Sequence, residues 1–136
     1  MPNAATPPVL LFDGDCAFCS SSARWLQDHV PSPVSVVPWQ WTDLDPLGVT
    51  VEEVDAAVVL VGVTLAHAAG PEAIAELLRS STAPGWRAAG RILALGPVLA
   101  VAWPVYRWVA RNRHRMPGGT AQCSLPQAER NAVPEA

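Results

Sequence analysis

Val9-Leu10-Leu11-Phe12-Asp13-Gly14-Asp15-Cys16-Ala17-Phe18-Cys19 is the stretch from which the fold follows. Four consecutive apolar residues suit a strand buried on both faces. Asp-Gly-Asp interrupts it, and Gly14 permits a tight turn. Small or apolar residues then recur three or four apart, at Cys19, Ala23, Leu26 and Val30. That spacing predicts a helix over 17–30 with one inner face. Pro31 and Pro33 end it. A C-x-x-C pair therefore sits where a buried strand turns into a helix.

The segments beyond it continue the pattern. Residues 34–37 are β-branched or small and read as a second strand, followed by a Pro38-Trp39-Gln40-Trp41 loop. Residues 42–55 are acidic, with a short helical turn expected at 51–54. Residues 57–61 form the strongest strand signal; Gly62 reads as a turn and 63–66 as its partner strand. Gly70-Pro71 opens a helix, with Pro in its first turn, Glu72 near its positive end, and Ile74, Leu77 and Leu78 on its apolar face. The strand-helix-strand start favours a parallel pair, and the later hairpin adds an antiparallel one. The expected class is α/β and thioredoxin-like, with a central mixed sheet of about four strands, flanking helices and an added C-terminal helical segment. The expected organisation is a flexible leader over 1–8, one domain over 9–126 (core 9–80, helical extension 84–116), and a flexible tail over 127–136.

Composition narrows the function classes. The chain has 136 residues, half of them apolar, enough for one core. Residues 1–78 carry ten Asp/Glu and one Arg, a net charge of −9. Residues 79–136 carry eight Arg and two Glu, a net of +6, and no Lys occurs anywhere. An acidic front half argues against a nucleic-acid surface there. Three cysteines are too few for a disulfide-stapled secreted scaffold. Residues 1–8 show no secretory signal pattern. A cytoplasmic monomer is the expectation.

Disulfide exchange needs one thiolate to attack and a second thiol to resolve the mixed disulfide. A helix N-terminus lowers the pKa of a cysteine placed there. Cys16 is therefore the expected nucleophile, at the exposed end, and Cys19 the resolving thiol, one turn deeper. Asp13 and Asp15, as nearby anions, oppose that lowering, yet either can cap backbone N–H groups. Asp13 is also a candidate proton acceptor for Cys19. A zinc site is the metal alternative: Cys16, Cys19, Cys123 and one of His29, His67 or His114 make up a set of four. No second C-x-x-C supports it, so no metal or other cofactor is expected beyond a redox-active Cys16–Cys19 disulfide.

Phe12-Asp13-Gly14-Asp15-Cys16-Ala17-Phe18-Cys19 resembles the D-x-x-C-x-x-C signature of the DCC family of thiol-disulfide oxidoreductases. Val105-Tyr106-Arg107-Trp108-Val109-Ala110-Arg111-Asn112-Arg113 is similar to that family's Y-x-x-(aliphatic)-A-x-N-R segment. Cys123, soon after Gly118-Gly119, fits a cysteine often seen near the family's end. The resemblance spans residues 9 to about 126. It implies a thioredoxin-like fold and dithiol–disulfide exchange of the protein-disulfide reductase type. The substrate would be a disulfide-containing protein or a small thiol or disulfide, with an electron donor left open. Thioredoxins carry Gly-Pro between their cysteines, Trp before them, and a cis-proline before the third strand. Here the corresponding residues are Ala17-Phe18, Asp15 and Asp55-Ala56.

Other features have competing readings. Arg107, Arg111 and Arg115 share a helical face, beside Arg113 and His114. A solvated basic helix end competes with anion or membrane binding, and Asn112-Arg113 are expected to dock this helix near the dithiol. Trp39 and Trp41 are candidates for the site edge. Residues 92–106 carry no charge. They are expected to pack as a buried helical pair, with membrane-surface or partner contact as the alternative. That alternative corresponds to a second functional reading, a non-catalytic thioredoxin-like module docking a partner or membrane through its Arg/Trp-rich end. Cys123 is either a third redox thiol or a passive one.

Overall fold

The structure is a computed structural model and describes residues 6–112. Arg113, His114, Arg115 and Cys123 lie outside the described residues. The elements run β1 (Val9–Phe12), α1 (Ala17–His29), β2 (Ser35–Pro38), α2 (Val51–Ala56), β3 (Val59–Val61), β4 (His67–Ala69), α3 (Pro71–Arg79), α4 (Pro84–Leu93) and α5 (Gly96–Arg111). Two short 3-10 turns, Trp39–Trp41 and Asp45–Leu47, lie between β2 and α2.

The four strands form one sheet in the order β2-β1-β3-β4. β1 is parallel to β2 and antiparallel to β3, which is antiparallel to β4. This mixed sheet with flanking helices is the thioredoxin-like α/β arrangement expected. β1 is interior, and its alternating side chains serve two cores. Val9 and Leu11 join Trp39, Leu47, Val49, Val54, Val59 and Val61 on one face. Leu10 joins Val30, Val34, Leu60, Ala73, Leu77 and Leu78 on the other, where α1, α3 and α4 pack. α2 begins with Thr50, whose hydroxyl accepts from the Glu53 N–H at 3.2 Å, the near half of a capping box.

The hairpin departs from the reading. The partner strand is His67–Ala69, not 63–66. Gly62 N–H donates to the Ala66 carbonyl at 2.9 Å, leaving 63–65 as the loop, with Leu65 at φ 64°. A three-residue hairpin loop needs one left-handed residue. The β-branched Val63 and Thr64 sit in that loop because the Val61–His67 pair closes the ladder.

The other departure lies in the last two helices. The buried helical pair expected over 92–106 packs on one side only, and no residue of α5 is fully buried. Its inner side lies against α3 and the sheet edge, where Trp103 closes on Gly70. That glycine has φ 58°, and a Cβ on it would come within 2.8 Å of the Trp103 ring. Both the backbone and the ring require glycine there. Gly70→Ala should therefore lower the unfolding free energy by about 1–3 kcal/mol. Urea denaturation measures it, and an unchanged midpoint would contradict this packing.

Candidate functional site

Three elements converge beyond the carboxyl end of β1. The chain leaves β1 at Phe12 and turns through Asp13-Gly14-Asp15. It enters α1 with Cys16 at the N-cap, whose side chain makes no capping hydrogen bond. Asp13 is 5% exposed. Its Oδ1 accepts from the Asp15 N–H at 3.1 Å, an Asx turn. The same oxygen accepts from Gln40 Nε2 at 2.8 Å. The Gln40 Oε1 in turn accepts from the Gly14 N–H at 2.8 Å. One amide therefore clamps the whole turn. Asp13 caps the turn, and Asp15 is exposed. Gly14 allows the approach: a Cβ there would lie 2.6 Å from Pro38 Cβ.

The two cysteines sit differently from expectation. Cys16, in its disulfide-bonded state, is 0% exposed, whereas Cys19 is half-buried and lines a cavity. The sequence spacing puts both near one helix face; the tucked turn decides which end opens. Cys16 is half of a disulfide. Cys19 is a thiol.

The cavity encloses about 230 Å³ and is mostly apolar. Phe12 and Asp13 come from the end of β1, and Phe18, Cys19 and Leu26 from α1. Residues 54–58 form the rim before β3, and Tyr106, Val109 and Ala110 the α5 wall. The Tyr106 hydroxyl accepts from the Val58 N–H at 3.0 Å, which ties α5 to the site. This explains the C-terminal segment singled out in the sequence. Its Tyr, Val and Ala face the cavity. Arg111 is exposed, and Asn112 Nδ2 donates to the Trp108 carbonyl at 2.7 Å, closing the helix end. Of the Asn112-Arg113 pair expected to dock this helix, Arg113 lies outside the described residues; Tyr106 docks the helix at Val58.

Neither Trp39 nor Trp41 lines the cavity. Trp39 is in the core and Trp41 is exposed. Gln40 between them is the residue that reaches the turn. No composition or spacing signal marked Gln40, because its role depends on the β2 end lying beside the β1 end. Tyr106 carried a motif signal but no indication of its partner. Among the described residues, no group of three or more His, Cys, Asp or Glu is placed to hold a metal. His29 bonds the Trp25 carbonyl and stacks on the Trp25 ring, and His67 pairs with Glu53 at 3.2 Å.

Gln40→Leu removes both arms of the clamp and leaves a buried carboxylate and a backbone N–H short of a partner. A loss of about 1–3 kcal/mol in unfolding free energy is expected. Trp41→Ala next to it should change stability by less than about 0.5 kcal/mol. Chemical denaturation of the two variants separates them; equal effects would deny the clamp.

A family model described as DCC1-like thiol-disulfide oxidoreductase matches residues 10–119. No match is found among curated proteins or among solved structures. The matched span holds the turn with both cysteines, all of the sheet except Val9, and the α5 wall of the cavity. The chain belongs to the DCC1-like thiol-disulfide oxidoreductase family.

Proposed function

We propose that this chain carries out dithiol–disulfide exchange with Cys16 as nucleophile and Cys19 as resolving thiol. One observation carries the reading. Cys16 is the sulfur engaged in a disulfide, while Cys19, three residues on, is a thiol lining the cavity beside Asp13. A thiol one helical turn from a disulfide-forming sulfur is the arrangement that resolution uses.

The Cys16 thiolate, favoured by the partial positive charge of the α1 N-terminus, attacks one sulfur of a substrate disulfide. A Cys16–substrate bond forms, the substrate S–S bond breaks, and one thiolate leaves and takes a proton. Cys19 then gives up its proton and attacks Cys16 Sγ. The Cys16–Cys19 bond forms and the second substrate thiolate leaves. The substrate gains two electrons and the pair loses two; a dithiol donor restores it. Asp13 is the proposed acceptor of the Cys19 proton. It is buried on the same cavity, and the Gln40 amide and Asp15 N–H hold its orientation. The apolar lining suits an uncharged group next to the disulfide, on a protein or a small molecule. Cys123, the remaining cysteine of the chain, is the proposed third thiol that exchanges with the Cys16–Cys19 pair.

Cys16→Ser should abolish disulfide turnover and leave the fold intact by circular dichroism; unchanged turnover refutes the assignment. Cys19→Ser should accumulate a mixed disulfide on Cys16, visible as an adduct mass. Asp13→Asn, which keeps an acceptor oxygen for Gln40, should slow resolution by about 100-fold. Mass mapping after graded oxidation tests the third thiol. Cys16–Cys123 and Cys16–Cys19 linkages should both occur, and finding only Cys16–Cys19 at every stage would remove Cys123 from the cycle.

A further inference from the structure

α5 is apolar on every side until Arg107. A helix of that kind is ordinarily covered all round. Here the inner side meets the protein through Trp103, Tyr106, Val109 and Ala110, and the outer side is open. Val101, Val105 and Trp108 are 67%, 56% and 53% exposed. With Pro97 and Pro104 they fall within a sector of about 100° at 3.6 residues per turn. Ile92 and Leu95, 59% and 55% exposed, extend the patch across the bend into α4. Arg91, Arg107 and Arg111 are exposed; Arg111 flanks the α5 sector, while the Arg107 guanidinium lies over the Trp103 ring, 5.2 Å from its centroid. Residues 77–112 contain five Arg and no Asp or Glu. The acids near this helix lie on its inner side: Glu72 accepts from Trp103 Nε1 at 3.3 Å, and Glu53 and Asp55 line the pockets beneath it.

We propose that the outer face of α5, with the α4–α5 corner, docks on an anionic phospholipid surface. An apolar stripe edged by arginines and lacking carboxylates complements an anionic headgroup layer. A two-fold contact with a second copy fits less well. It would bring Arg91 and Arg111 toward their own equivalents, with no carboxylate in residues 77–112 to meet them. Spanning is not the mode: α5 has 16 residues, about 24 Å, against a hydrocarbon core of about 30 Å. α4 and α5 are also bent by 84°. The helix therefore lies along the surface. Because Tyr106, Val109 and Ala110 are on its opposite side, the cavity with Cys19 stands about one helix diameter, roughly 10 Å, from the lipid. This inference does not depend on the exchange chemistry.

The test is co-sedimentation of the full chain with vesicles of phosphatidylcholine alone, or with about 30 mol % phosphatidylserine. Binding should be at least about tenfold stronger to the anionic vesicles and weaken as salt rises. Val101→Asp/Val105→Asp should abolish it. Arg91→Gln/Arg111→Gln should reduce the preference for phosphatidylserine several-fold. All four side chains are exposed, so these variants should keep the wild-type circular dichroism; Trp108→Gln repeats the apolar test with a single change. No sedimentation with anionic vesicles overturns the proposal, as does wild-type binding by the Asp variant and by Trp108→Gln. A dimer by light scattering that Val101→Asp/Val105→Asp dissociates also overturns it, in favour of a second copy as the cover.

Discussion

The Gln40 side-chain amide bonds the Asp13 carboxylate with one end and the Gly14 N–H with the other, 2.8 Å to each. It sits at the point where the chain leaves the centre of the sheet. Burying an aspartate at 5% exposure is costly unless the carboxylate is hydrogen-bonded. The amide meets that need and at the same time fixes the turn that sets Cys16 at the start of α1. Gly14 permits it by leaving no Cβ against Pro38. Placement of the cysteines is therefore coupled to the pairing of β1 with β2, since Gln40 lies two residues beyond the end of β2.

The site is assembled from both ends of the chain. β1 and α1 supply the cysteines and Asp13. The connection before β3 supplies a rim, and α5 closes the remaining wall through the Tyr106–Val58 hydrogen bond. A thioredoxin-like core alone would leave the Cys19 side of α1 open. The C-terminal helix turns it into an apolar cavity. No proline occupies residues 55–58, and Tyr106 engages the backbone of that rim. The surroundings of the dithiol are thus unlike those of the general peptide-binding arrangement.

The same helix carries two faces with different demands. Its inner residues have to fit the cavity and the Gly70 surface, and its outer residues have no such constraint from the protein. They are nonetheless Val, Pro and Trp, edged by arginine. Solvent contact alone gives no reason for that pattern, which is why the outer face reads as an interface.

Much of the architecture was legible in the sequence. Four apolar residues before Asp-Gly-Asp place a doubly buried strand, and the three-to-four spacing after it places α1. The β1, α1, β2, β3 and α3 signals are local, so periodicity captured them. His67-Ala68-Ala69 has little strand character and became β4 only because pairing with β3 reaches that far. Residues 92–106 looked buried because hydropathy reports composition and not which side of a helix meets the core. For the site, the sequence by itself determined the chemistry: two thiols one helical turn apart beside a carboxylate. Only the tertiary structure decided which sulfur is enclosed, which lines a cavity, and that Gln40 and Tyr106 belong with them. Those outcomes depend on contacts between residues 26 to 48 positions apart, and local spacing carries no information about contacts of that range.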